Sequence, residues 1–234
     1  MSVEHESVEL LKQLVGIDSV NPGLVPGASG ETEIVAFLSA RLEAQGFSIH
    51  HVPAVGVENR PSLVAVAPGD GLFVVFNGHL DTVGVKGMDD PFTARVEGDK
   101  LFGRGAADMK GGVAALVVAA EHLARSSSSF RPVLALVADE EDASMGSEAV
   151  IAALPGLGIT PELCLISEPT GLDLAVSLRG FAVVKARFTG RASHSSQPEL
   201  GINAVTQLGR FMAAVELKAQ EIRATGGDLM ITVV

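Results

Sequence analysis

An imidazole two residues from a carboxylate can hold a divalent cation or move a proton. So can a carboxylate between glycines, a pair of adjacent glutamates, and a glutamate before proline. The chain carries these as His79 and Asp81 in GHLDT, Asp108 in GRGAADMKGG, Glu140-Glu141 in ADEED, and Glu168 in SEPT. Each segment follows or closes an apolar run, so each is expected at the rim of a sheet. Carboxylates gathered around one imidazole need a counter-charge, and divalent metal is the natural one. A metal-dependent hydrolase is the leading reading.

Each motif also has a plainer explanation. His79 and Asp81 face the same way if their strand persists, so His79 could ligate while Asp81 orients its ring; otherwise they are a solvated strand end. Glycines around Asp108 allow sharp turns that bring a short side chain to an ion; otherwise Asp108 caps the following helix. Glu140 and Glu141 point differently, so one could ligate and the other act as general base; otherwise residues 139–142 are a solvated acidic loop. Glu168 precedes Pro169, which stops a strand, and alone would be a turn residue. Their common place at strand-to-loop junctions favours the metal reading.

The elements that must position these residues follow from periodicity. Residues 4–16 read as a helix with Val8, Leu11, Leu14 and Val15 on one face, and Asn21-Pro22-Gly23 breaks the chain. A second helix over 31–45 is expected to be capped by Ser29, to bury Ile34, Phe37, Leu38 and Leu42, and to end at Gly46. Strands are expected over 48–52, 62–67 and 72–77, and a hairpin over 92–103 turning at Glu97-Gly98-Asp99. A helix over 112–125 and a loop over 126–129 follow. The continuous apolar runs 133–138 and 163–166 read as buried strands, with a helix over 147–154 between them. This alternation implies an α/β fold: a mixed, mostly parallel sheet flanked by helices, with its site beyond the carboxyl ends of the strands.

After Gly180 the pattern changes to a strand over 181–189, an amphipathic helix over 202–217 and a strand beginning at Met230. Ile202, Val205, Leu208, Met212 and Val215 share one helix face. Two domains are therefore expected: a catalytic metal-binding domain over 1–179, lacking its C-terminal part, and part of a small α+β lid or dimerisation domain over 180–234.

Composition narrows the class. With 47% apolar and 19% charged residues, the chain of 234 should fold. Its net charge of −11 argues against nucleic acid or an anionic membrane as partner. The N-terminus has no basic region or apolar core of a signal peptide, and the longest apolar stretch, 113–120, is too short to span a bilayer. A soluble, cytoplasmic protein is the default. Cys164 is the single cysteine and is expected in the core, with His50 and His51 on the surface. No Gly-x-Ser-x-Gly elbow is present, which disfavours a serine hydrolase.

The run GHLDT, GRGAADMKGG, DEE, SEPT and GRASHSSQPELGINAV resembles the dinuclear zinc family of acetylornithine deacetylase, succinyl-diaminopimelate desuccinylase, aminoacylase and glutamate carboxypeptidase. The likeness runs over about residues 8–217, and LVGIDSVNPG resembles the family's opening helix and turn. The resemblance implies a zinc-exopeptidase-like sheet and two divalent metal ions, zinc first, with cobalt or manganese tolerated. His79, Asp108 and Glu168 would hold one ion, and Asp108 would bridge to a second held also by Glu141. Asp81 would orient His79, Glu140 would be the general base, and His194 in ASHSS would steady the oxyanion in the site of a partner subunit. The implied reaction is hydrolysis of the amide bond of N-acyl amino acids or small peptides by metal-bound hydroxide, in a homodimer formed through the lid domain. Arg179 is a candidate carboxylate partner. The resemblance also implies a last metal-binding histidine near the end of a longer chain, and no counterpart is expected among the residues up to Val234. The alternative is therefore a catalytically incompetent fragment, or a metal-binding or assembly module.

Overall fold

Ser2 starts α1 (Val3–Val15) by accepting the His5 amide on its hydroxyl at 3.3 Å. Leu10, Leu14 and Val15 are its buried residues, whereas Val8 is exposed. The inward stripe is thus centred on the i, i+4 pair Leu10–Leu14. These positions come from a computed structural model, which describes residues 2–54, 56–126, 129–178, 180, 182–227 and 229–230. The chain divides into two compact units, Met1–Ala175 and Val176–Val234.

In the first unit α2 (Thr32–Glu43) begins at Glu31, not at Ser29. Ser29 donates its hydroxyl to Asp18 at 3.0 Å, which removes it from the cap. The strands are β1 (Ser48–Ala54), β2 (Val57–Val66), β3 (Leu72–His79), the hairpin pair β4 (Arg95–Glu97) and β5 (Lys100–Phe102), β6 (Phe130–Val137) and β7 (Pro161–Ile166). Helices α3 (Gly111–Arg125) and α4 (Met145–Ala153) lie between them in sequence. Five strands form one sheet in the order β1-β2-β6-β3-β7. Its β6–β3–β7 part is parallel, and β1 and β2 join antiparallel. The sheet is mixed and flanked by helices, as expected.

Alternation along β6 divides the core. Leu134 and Leu136 pack with Leu14, Leu38, Val113 and Val117 from the first three helices. Val133, Ala135 and Val137 face the other way, toward Val150 and Ile159. Arg41 of α2 donates to both oxygens of Glu121 of α3, at 2.7 and 2.8 Å. Glu121 is buried, while the Arg41 side chain is 30% exposed. Arg41→Met should therefore cost about 1–3 kcal/mol, below the usual loss for a fully buried pair because solvent screens the arginine. A urea midpoint equal to that of wild type would contradict this.

One strand departs from expectation. β7 carries the apolar run, yet Leu163, Leu165 and Ile166 are exposed, and so is Cys164. β7 is the edge strand, paired to β3 alone, and an apolar run does not reveal which strand takes the edge.

In the second unit α5 (Ala204–Ala224) is capped by Asn203, whose side-chain oxygen accepts the Thr206 amide at 3.0 Å. Ile202 lies before this helix and bridges Arg191. Val205 and Leu208, from the apolar face of the expected helix, are exposed. The expected strand over 181–189 is not formed among residues 182–189, where no described strand offers a ladder partner. Phe181, residues 231–234 and Arg179 lie outside the described residues, as do 127 and 128 of the expected loop. No helix among the described residues is long and apolar enough to cross a membrane.

Candidate metal centre

Register explains the convergence. In the parallel part of the sheet His79 pairs with Val137, and Asn77 with Ile166. The chain therefore leaves β6 into Asp139–Glu141, and β7 into Ser167–Glu168, at the level where β3 delivers His79. Asp108 arrives from the irregular turn Ala106–Lys110 that leads into α3. It is not the cap of that helix, since Lys110 takes the position.

The His79 ring is buried, and its backbone amide lies 3.1 Å from Met109 Sδ. Nδ1 pairs with the backbone carbonyl of Asp81 at 2.9 Å, with the Asp81 carboxylate behind at 3.6 Å. Nε2 points to the rim, 2.9 Å from Asp108 Oδ1, 3.8 Å from Glu168 Oε1 and 3.9 Å from Glu140 Oε2. Two groups could hold a metal ion, His79–Glu140–Glu168 and His79–Asp108–Glu141, each with ligand atoms within 4.8 Å of one another. His79 is common to both.

The electrostatics call for a cation. Burial alone would depress the His79 imidazole, but Asp81, Asp108 and Glu168 overcome it and push it up to about 10. Burial, and then Asp108, raise the Glu141 carboxyl. Burial raises the Glu168 carboxyl against the lowering by His79, and Asp108, Glu140 and Asp81 add to the rise. Without a metal, then, one buried imidazolium balances several crowded acids, and some acids resist ionisation. The donor set, one imidazole and hard carboxylate oxygens, suits zinc, cobalt or manganese.

Asp81 does more than face His79. Its Oδ1 accepts the Glu140 amide at 3.0 Å, and Oδ2 accepts the Glu141 amide at 3.1 Å. Burial opposes its charge, but His79 and Asn21 hold its carboxyl below the usual range. The Asp108 turn is tied down by Lys110, fully buried, whose ammonium donates to the carbonyls of Leu14 and Ile17 at 2.9 and 2.7 Å. Burial pulls this lysine down to about 8, against a smaller opposing effect of Asp18.

Glu168 is set by a close approach. A Cβ on Gly112 would collide with the Ser167 carbonyl oxygen and lie 2.5 Å from its hydroxyl. Gly112→Ala should displace residues 167–168 and weaken metal binding about tenfold, on the scale of altering a ligand's support. Chelator competition measures this, and an unchanged Kd would show that β7 absorbs the methyl group.

The sequence pattern missed Lys110 and the buried polar residues Asn21, Glu31 and Arg60. Asn21 entered only as a chain breaker and residue 31 only as the start of a helix. His194 belongs to the second unit, where it is exposed. Its Nδ1 accepts the Ser196 amide at 3.2 Å and lies 2.8 Å from the Ser196 hydroxyl. In the neutral ring the proton is therefore on Nε2.

Residues 75–230 match the family model described as peptidase family M20/M25/M40. The chain is 34% identical over 229 residues to succinyl-diaminopimelate desuccinylase of Gluconobacter oxydans, covering 94% of this chain and 58% of that protein. It is 31% identical over 201 residues to acetylornithine deacetylase of Proteus mirabilis, covering 85% and 51%. The chain thus spans little more than half the length of these relatives. Human carnosine dipeptidase 1 is similar in structure, with a TM-score of 0.57 and 25% identity over 70% of this chain and 38% of that one. A tripeptidase of Staphylococcus aureus shares the fold, with a TM-score of 0.61 at 16% identity over 90% and 56%.

Proposed function

The chain belongs to peptidase family M20/M25/M40, and from that premise we propose that it serves a metal-dependent hydrolase cleaving the amide bond of N-acyl amino acids or small peptides. The observation that carries the proposal is the gathering of His79 with Asp108, Glu140, Glu141 and Glu168 at one rim, in groups whose ligand atoms lie within 4.8 Å. The substrate class draws on the relatives' names, a desuccinylase and a deacetylase.

His79, Asp108 and Glu168 would hold one ion, with Asp108 shared with a second held by Glu141; zinc is the first choice. When bound, such ions neutralise the carboxylates, polarise a carbonyl and lower the pKa of water from about 15.7 to about 7. Glu140 then carries the proton. It takes it from water as the new carbon–oxygen bond forms, and delivers it to the leaving nitrogen as the carbon–nitrogen bond breaks. His194, with its Nε2–H free to donate, steadies the oxyanion. That it does so in the site of a partner copy is part of the same proposal.

The test uses the purified chain, stripped of metal and titrated with zinc or cobalt. Binding in the micromolar range or tighter is expected, and with it hydrolysis of N-acetyl or N-succinyl amino acids. Absence of binding at millimolar metal would overturn the proposal. Binding without turnover would favour the metal-binding or assembly module instead.

A further inference from the structure

Asn21, Glu31, Arg60 and Asp139 lie buried behind the metal centre, and the mechanism above uses none of them. Asn21 Nδ2 donates to Asp81 Oδ2 at 2.7 Å and to Asp139 Oδ1 at 3.1 Å. Its Oδ1 accepts the Gly23 amide at 2.8 Å, which fixes the orientation of the group. One nitrogen thus gives a hydrogen to each of two buried carboxylates.

Both aspartates act on the same short turn. Asp81 holds the amides of Glu140 and Glu141. Asp139 has φ 63°, the left-handed region, and this residue redirects the chain from β6 into the two glutamates. A non-glycine residue stays there only when its surroundings hold it. Here the Asp139 amide donates to Glu31 Oε1 at 3.1 Å, its carbonyl accepts the Ser144 amide at 2.5 Å, and its Oδ1 lies 3.1 Å from Arg60 Nη1. Arg60 in turn donates to both Glu31 oxygens, each at 2.5 Å. Glu31, Asp81 and Asp139 bring three carboxylates, met by the Arg60 guanidinium and, at Asp81, by the His79 ring at 3.6 Å. Without the Asn21 amide, Asp81 and Asp139 would lose the donor they share.

We propose that Asn21, backed by the Arg60–Glu31 pair, is a positioning residue for Glu140 and Glu141, coupling the aspartate that grips their amides to the aspartate that turns the chain into them. This deepens the metal-centre reading and rests on it.

The experiment measures two quantities on the whole chain: the cobalt Kd by absorption titration, and hydrogen exchange at the Glu140 and Glu141 amides in metal-free protein. Wild type is compared with Asn21→Leu, Asn21→Ser and Arg41→Met, the last a destabilised control away from the site. Asn21→Leu should raise the Kd at least tenfold, the scale of a lost supporting contact, and speed exchange of both amides. Asn21→Ser, with one donor for two carboxylates, should fall between, and it carries the test if the leucine variant does not fold. Arg41→Met should change neither quantity beyond its effect on Tm. Unchanged Kd and exchange in Asn21→Ser would overturn the positioning role and leave the metal centre standing. So would equal changes in Arg41→Met at matched Tm. A wild-type chain that binds no cobalt would instead remove the metal reading, while amide exchange still reports on Asn21.

Discussion

Glutamine in place of Glu140 should lower turnover of an N-acyl amino acid by about 10²–10⁴-fold, the usual worth of a general base, and leave metal content intact. The substitution keeps shape and removes the basic oxygen. The backbone amide of residue 140 remains held by Asp81, so the turn should not move. A competing role makes the test sharp, because Glu140 also groups with His79 and Glu168 as a possible ligand. A ligand lost would show as weakened metal binding, and excess metal would restore turnover. A base lost would show as low kcat at saturating metal. Restoration of turnover by added metal would assign Glu140 to the ion and leave the proton without a carrier.

The residues that meet at this rim were legible because strand ends and parallel register are local matters. An apolar run that stops at an acid or a histidine marks the carboxyl end of a strand, and β3 and β6, in register, bring two such ends together. The assignment of roles among the carboxylates came from resemblance to a family, since spacing alone left each motif a plainer explanation. What stayed hidden was non-local. Asn21 meets Asp81 and Asp139 across 60 and 118 residues of sequence, and no periodicity links Glu31 to Arg60. A buried ion pair reads in sequence as two ordinary surface charges. The edge position of β7 was hidden for a different reason. Edge and centre strands both carry apolar runs, and only pairing tells them apart. Similarly, Ser29 had the chemistry of a cap, but Asp18 was nearby in space to take its hydroxyl.

His79→Gln should be the most damaging substitution for the metal centre. His79 belongs to both candidate ligand groups, and in the proposed assignment it holds the ion shared by Asp108 and Glu168, so its loss should weaken that ion most. Removing a group that merely supports a ligand already costs about 10–100-fold in affinity, so more than about 100-fold is expected here. Glu141→Gln should weaken only the ion shared with Asp108, and Glu168→Gln only the other. Titration followed by elemental analysis separates these cases, and a stoichiometry unchanged in His79→Gln would break the assignment. The same variant has a second effect, readable without metal. His79 in the metal-free chain is the cation set among Asp81, Asp108 and Glu168 and is held protonated up to about 10. Its removal leaves the fully buried Asp81 carboxylate with its amide donors but without its imidazolium, a loss of at most about 3–5 kcal/mol, the scale of a buried pair broken on one side. Metal-free His79→Gln should therefore unfold at markedly lower urea than metal-free wild type at pH 7. Equal midpoints would mean that the pocket does not need a positive charge, and the physical ground for placing metal ions there would be gone.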